Sequence, residues 1–302
     1  MNEKIVVPDL LPPSEDGVFK TLLTHPDAKP ILRDVISGVL EIPIVSVEVK
    51  NTELPISDIS EKRERLDVHC LADNDKQLNV EMQTTPMTGD SAKNAHVRIK
   101  SRAIYNLCDL HSSQKSKNID YGNLLQTFQI TFCGYKVFPK REDFVNRFSF
   151  RGEDGEELID TLGIIFIELS KLGKVLKKPA GEMSPIELWS VFFSVGSKPE
   201  YRKLLLDMTK AREEIKLASE LLANISSDLE QRARYLSRKK FRMDHDHDMI
   251  VSFREGEAKG IEKGEAKAKL EIAKNLLANG VPLDVIAKSS GLPPDKIQGL
   301  AN

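Results

Sequence analysis

Two short stretches, Arg65-Leu66-Asp67-Val68-His69-Cys70 and Leu78-Asn79-Val80-Glu81-Met82-Gln83, decide how this chain is read. In the first, Leu66, Val68 and Cys70 alternate with Arg65, Asp67 and His69. In the second, Leu78, Val80 and Met82 alternate with Asn79, Glu81 and Gln83. A period of two is that of strands with one buried face. Between them, Asp73-Asn74-Asp75 supplies turn chemistry. Residues paired across an antiparallel ladder share a face. Asp67 and Glu81 are both odd-numbered, so a loop of odd length, such as those three residues, sets both carboxylates on one face. A two-residue turn would throw Glu81 to the other side. Two such carboxylates repel, which raises one pKa unless a cation joins them. Hard oxygen ligands suit Mg²⁺, with Mn²⁺ as the alternative. An ion held there acidifies an attacking water and compensates charge on a phosphate, so the pattern implies phosphodiester hydrolysis. The same residues also fit acidic side chains on the solvated face of an ordinary hairpin.

Working outward, Ser14 and Glu15 are placed to cap a helix that buries Val18, Phe19, Leu22 and Leu23. Ile31, Leu32, Val35, Ile36, Val39 and Leu40 mark a second helix, and 44–50 reads as a strand. Residues 92–110 form a helix with Ala95, Ile99, Ala103 and Leu107 inward. Three further strands follow at 126–133, 143–151 and 158–169, the last two joined at Glu153-Asp154-Gly155. The expected fold is therefore α/β, a mixed sheet flanked by helices. After Lys171 the pattern turns helical, with an apolar helix at 185–195, one or two amphipathic helices over 199–240, and a charged helix over 259–278.

The order of these motifs resembles that of a known family. Asp67 followed by Glu81-Met82-Gln83 is similar to the PD-(D/E)XK nuclease motif with Gln in the Lys position. More closely, the chain resembles the PD-(D/E)XK nuclease-family transposases of the recombination-promoting nuclease (Rpn) group. Asp16-Gly17-Val18-Phe19-Lys20 resembles that family's opening helix, and Ile56-Ser57-Asp58 leads into the Asp67 strand. Phe166-Ile167-Glu168-Leu169-Ser170-Lys171 resembles its Glu-Leu-x-Lys strand end. The glycine-spaced segment from Gly256 to Ala266 and the unit Gly291-Leu292-Pro293 to Ile297 resemble its tail. The resemblance implies a restriction-endonuclease-like core and a Mg²⁺-dependent DNA endonuclease that promotes recombination or transposition in the bacterial cytoplasm. It implies that Asp67 and Glu81 hold the metal, with Gln83 and Asp16 in catalysis. Lys20 in the opening helix is expected to touch DNA. Two departures stand out: Leu66 occupies the place of the motif's proline, and Gln83 that of its lysine. A neutral amide orients water but carries no charge and does not titrate.

Other groups leave more than one reading open. Asp16 serves either the metal site or the helix macrodipole. Arg98, Arg102 and Tyr105, at i, i+4 and i+7, present one helical face able to clamp DNA phosphates, or a solvated face; His96 is a weaker candidate. Trp189 is read as a core anchor rather than a base-stacking ring. Asp244-His245-Asp246-His247-Asp248 is read as an exposed polar linker rather than a metal site.

The 302-residue chain has a formal net charge of −2, so it does not coat nucleic acid by bulk electrostatics. A local patch is required, and Arg232, Arg234, Arg238, Lys239, Lys240 and Arg242 form one without an acidic residue, or else a solvated helix face. No apolar run approaches the roughly 20 residues that span a membrane, and the start lacks a signal-peptide pattern. Cys70, Cys108 and Cys133 lack metal-ligand spacing and read as reduced, buried thiols. Gly256, Gly260 and Gly264 make a stripe along one helix, either for close approach of a second subunit's helix or as simple repeat expansion. The expected organisation is a nuclease-like core over 1–175, a helical extension over 176–242, and an oligomerising tail over 243–302 with a helix-turn-helix-like end. The alternative function is a catalytically weak nuclease-fold protein that binds DNA or regulates.

Overall fold

A computed structural model describes residues 10–50, 67–85, 92–114 and 120–300. The Ile56-Ser57-Asp58 segment, Arg65 and Leu66 lie outside the described residues. The central hairpin joins β2 (Val68–Ala72) to β3 (Lys76–Gln83). Val68 pairs with Val80 and Ala72 with Lys76, so the loop holds the three residues Asp73, Asn74 and Asp75. Asp73 and Asn74 both adopt positive φ, at 49° and 60°, a conformation that Asp and Asn tolerate better than most residues. Asp73 Oδ1 also accepts from the backbone N–H groups of Val45 and Ser46 at 3.0 and 2.8 Å. That contact ties down the short β1 (Val47–Val49), which covers less than the expected 44–50 strand.

The sheet has six strands in the order β1-β2-β3-β4-β6-β5. Helix α3 (Ala92–Ser112) returns the chain from β3 to β4 (Gln126–Cys133), which runs parallel to β3. β6 (Glu157–Glu168) lies parallel to β4, and β5 (Val145–Arg151) closes the edge antiparallel to β6. The turn between β5 and β6 contains Gly155 at φ 86°, which a residue with a Cβ rarely adopts. Leu169, expected to extend the last strand, instead begins a short 3₁₀ turn.

One sheet face is apolar. Val68, Cys70, Leu78, Val80, Ile130, Phe132, Ile165 and Ile167 pack there in the main core. They meet α1 (Asp16–Thr24), α2 (Lys29–Leu40), α4 (Pro185–Val195) and α6 (Glu213–Ser227). Helix α1 has Glu15 at its N-cap without a side-chain cap bond, so the expected Ser14 cap does not form. Trp189 is a core anchor: it is fully buried, and its Nε1 donates to the buried Asp34 carboxylate at 2.8 Å. Arg212 pairs with the same carboxylate. The opposite face lies under α3, with Ile99, Ala103 and Leu107 buried as expected. That face is polar toward β3, and it carries the candidate site.

Between 199 and 240 the structure has three helices rather than one or two: α5 (Arg202–Ala211), α6 and the start of α7. Helix α7 runs unbroken from Leu229 to Ala278, so the expected linker at 244–248 is helix instead. Nothing from 229 to 255 is Gly or Pro, and no breaker interrupts the backbone hydrogen bonds. By internal contacts the chain divides into two compact units, Met1–Lys239 and Lys240–Asn302. In the second unit, Ala273 of α7 packs with Ile286 of α8 (Leu283–Ser290) and Ile297 of α9 (Pro294–Gln298). Gly291, at φ 67°, makes the turn between α8 and α9. Among the described residues no helix is long and apolar enough to cross a membrane.

Candidate active site

Continuing the β2–β3 register by one residue sets Asp67 opposite Glu81. Asp67 is partly buried, and its Oδ2 accepts from the Met82 backbone N–H at 3.2 Å. Glu81 is only 1% exposed. The reading of a solvated hairpin face is thereby overturned. β3 is a central strand with α3 laid over its polar side, so Asn79 and Glu81 are buried rather than wet.

A buried carboxylate needs partners, and Glu81 has several. Its Oε1 accepts from Gln83 Nε2 at 2.8 Å and lies 2.7 Å from Arg102 Nη2. Its Oε2 accepts from Gln129 Nε2 at 3.2 Å and, more loosely, from Asn106 Nδ2 at 3.5 Å. Gln129 is fixed in turn by Asn79 Nδ2 at 2.9 Å and donates to Thr131 Oγ1 at 3.1 Å. The parallel pairing of β3 with β4 sets Asn79 beside Gln129 and Glu81 beside Thr131. The strand alternation pointed to Asp67, Glu81 and Gln83 but not to Gln129, Thr131 or Asn106. The β3–β4 register brings Gln129 and Thr131 to Glu81, and the packing of α3 over the sheet brings Asn106.

Electrostatics follow from this geometry. Burial raises the Asp67 pKa from 3.8 to about 7, helped by the charges of Glu81 and Asp16. The Met82 N–H and Arg102 pull it down less. Burial also raises the Glu81 pKa, against Arg102 and the Gln83 and Gln129 amides. Asp16 is the first residue of α1, exposed, and close enough to act on both carboxylates. Tyr135 is influenced by Glu81 and Arg102, and burial raises its pKa. Its hydroxyl is buried without a hydrogen-bond partner among the described residues.

Arg102 is thus brought to the carboxylates, whereas Arg98 and Tyr105 lie exposed along α3. Lys20 lies one turn after Asp16 and is partly buried. The His96 ring is partly buried with Nδ1 unpartnered. Of the basic run on α7, Arg238 packs against Gly17, where an added Cβ would collide with its guanidinium, and Arg234 pairs with Glu230 at 2.5 Å. The Arg242 and Asp246 side chains lie outside the described residues. Cys70 and Cys133 are buried as expected, but Cys108 is exposed. Burial pushes the Cys70 thiol up to about 12 and raises Cys133 further. Gly134 lets the chain leaving β4 cross close to Thr84, since a Cβ there would lie 2.6 Å from the Thr84 carbonyl oxygen.

Among the described residues no three His, Cys, Asp or Glu side chains close into a complete metal cage. The donor set fits an ion that keeps most of its waters. Two mutually repelling carboxylates lie beside the Met82 backbone, near an unpartnered hydroxyl.

No curated protein and no solved structure matches the chain. Residues 266–302 match the family model described as the Rpn/YhgA-like nuclease family, C-terminal HTH domain. The two short helices at the carboxyl end belong to that match. Residues 13–251, covering the sheet, its helices and the carboxylate pair, match the model described as PD-(D/E)XK nuclease family transposase. With most of its length inside that match, and a mixed sheet whose motifs fall in the expected order, the chain belongs to the PD-(D/E)XK nuclease family transposases.

Proposed function

We propose that the chain is a metal-dependent DNA endonuclease whose cuts feed recombination or transposition. One observation carries this reading: Asp67 and Glu81 meet on one face of a buried hairpin, where burial and the Glu81 charge raise the Asp67 pKa to about 7. In this reading Asp67 and Glu81 would hold Mg²⁺ or Mn²⁺, and the Met82 carbonyl would offer a third oxygen. What such an ion supplies when bound is a more acidic attacking water and charge compensation on the phosphate. Gln83 orients that water through its amide, as its present bond to Glu81 Oε1 allows. Arg102, now the counter-ion of Glu81, turns to the phosphate. Asp16 adds negative potential at the mouth of the site, and Lys20, Arg98 and Tyr105 contact DNA. The tail assembles a dimer through the glycine stripe, and its helix-turn-helix end adds DNA affinity.

Plasmid nicking with Mg²⁺ or Mn²⁺ against EDTA tests the proposal. Wild-type protein nicks only with the metal, and Asp67→Ala and Glu81→Ala remove at least a hundredfold of the rate. Activity surviving in both variants rejects this site.

A second reading draws on the substitution at Gln83 and on Glu81 Oε1 already being shared by Arg102 and Gln83. There the protein is a weak or inactive nuclease scaffold that binds DNA or regulates. Tight DNA binding without cleavage in any divalent metal would favour it.

A further inference from the structure

Glu168 is a second carboxylate sealed on the α3 side of the sheet, outside the site described above. It is 0% exposed. Its Oε1 accepts from the backbone N–H groups of Val137 and Phe138 at 2.6 and 3.1 Å. Its Oε2 accepts from Asn146 Nδ2 at 2.8 Å and from Lys171 Nζ at 2.5 Å. Lys171 Nζ also donates to the Phe138 carbonyl at 2.9 Å. A buried ion pair is weak evidence for stability, but it fixes geometry. Here it locks the turn after β4 to the turn after β6. Between those turns lies an open cleft of about 450 Å³ lined by Lys136, Arg141, Lys171 and Lys174. Its one lining acid, Glu142, sits 3.1 Å from Lys174. Four cations against Glu142 and Glu168 leave a positive excess of two, in a chain whose overall charge is −2.

The sheet register locates this cleft relative to the carboxylate pair. Gln83 pairs with Cys133, and Cys133 with Glu168, so all three share one rung at the carboxyl ends of β3, β4 and β6. Neighbouring strands lie about 4.8 Å apart, so Gln83 and Glu168, two strands apart, lie roughly 10 Å from one another along that rung. The surface between them is basic as well. Helix α3 sets Arg102 on Glu81 and, within the same turn, Lys100 Nζ 4.4 Å over the Phe138 ring. Arg141 covers the same ring from 5.4 Å and Phe148 from 5.1 Å.

We infer that the Lys136–Arg141–Lys174 cleft grips the DNA backbone beside the bond to be cut, with the Glu168–Lys171 pair as its rigid floor. The inference rests on reading Asp67 and Glu81 as the place of cleavage. Cations at fixed spacing from the carboxylates recognise a phosphodiester chain through charge and register, without reading bases.

The test uses the full-length protein in EDTA, where binding is measured without cutting, and a fluorescent 20-base-pair duplex followed by anisotropy across a salt series. Lys136 and Lys174 are both exposed, so Lys136→Glu with Lys174→Glu leaves the fold intact, which the melting curve checks. The double variant raises Kd at least tenfold. It also flattens the dependence of log K on log salt by about two, since each phosphate contact contributes roughly 0.9. Arg141→Gln alone gives a smaller change in the same direction. Lys210→Glu on α5 changes neither quantity. A double variant with wild-type Kd and salt slope overturns the inference, and so does a wild-type protein that binds no duplex. The two readings fail separately. Loss of binding in the double variant of a protein that never nicks DNA keeps the cleft and removes hydrolysis. Unchanged binding, with nicking lost in Asp67→Ala, does the reverse.

Discussion

Asp67 faces two opposed demands: burial and the neighbouring Glu81 favour its neutral form, whereas a cation needs it ionised. Its pKa is 3.8 when unperturbed and about 7 in the fold. Below pH 3.8 folded and unfolded chains both keep this proton, and the group's contribution to stability is complete. As pH rises the unfolded chain releases the proton first, so stability is lost progressively until the folded pKa is passed. A shift of that size corresponds to about 4 kcal/mol. Asp67→Asn, which keeps an acceptor for the Met82 N–H, should therefore raise Tm in EDTA by several degrees at pH 8 and by almost nothing at pH 4. A difference that is flat with pH would mean that the Asp67 pKa is not raised in the fold. Metal binding requires the ionised form, so added Mg²⁺ should release protons and stabilise more at pH 8 than at pH 6. Gln83 supports a separate expectation. Its amide donates to Glu81 and brings no charge, so Gln83→Ala should lower kcat while leaving metal affinity nearly intact, and Gln83→Lys should retain activity. Loss of metal binding in Gln83→Ala, followed by calorimetry, would show that Gln83 is a ligand rather than an orienting group.

At the scale of elements, the β2–β3 loop governs which face Glu81 occupies, and Asn74 is its most demanding position. At φ 60° it sits in the left-handed region, which costs a residue with a Cβ roughly 1–2 kcal/mol. Denaturant titration should show Asn74→Val destabilised by about that amount and Asn74→Gly within about 0.5 kcal/mol of wild type. Equal stability of the two would mean that the loop relaxes to another conformation. Because this hairpin is local, its strands, its odd loop and the shared face of Asp67 and Glu81 were legible from alternation and parity. Strand β4 was legible too, at 126–133. What β4 contributes to the site was not. Gln129 and Thr131 reach Glu81 only through a parallel pairing made across α3, some fifty residues along the chain, and no local pattern encodes that register. Burial of the polar face had the same origin, since a hairpin read alone has no covering helix. The Asp244–Asp248 stretch failed for a different reason. Its composition resembles a linker, but without Gly or Pro a helix entering it has no cause to stop.

Over the whole molecule, charge and glycine placement bear on the proposed binding of DNA and on the proposed dimer. With an overall charge of −2, the proposed DNA binding would fall to local cations and to the end that matches the helix-turn-helix model. In the second unit Gly256, Gly260 and Gly264 lie exposed along α7, and a Cβ built on any of them meets nothing within 4 Å among the described residues. Packing among the described residues therefore gives no reason for three residues that each weaken the helix by about 1 kcal/mol relative to Ala. Close approach of the same helix from a second copy would supply one, and a two-fold dimer would bring two sites to opposite DNA strands. Replacing all three by Ala should raise helicity and Tm, since each added methyl enters open space. Replacing all three by Leu should also favour the helix locally, yet hold two backbones apart. Sedimentation should then show the Leu variant reduced to monomer while the Ala variant stays closer to wild type. On a supercoiled plasmid the Leu variant should lose linear product more than nicked product, because nicking needs one site and a double-strand break needs two. A Leu variant that keeps both its mass and its ratio of breaks to nicks would exclude the stripe as the interface, and α7 would then carry its glycines without a packing role.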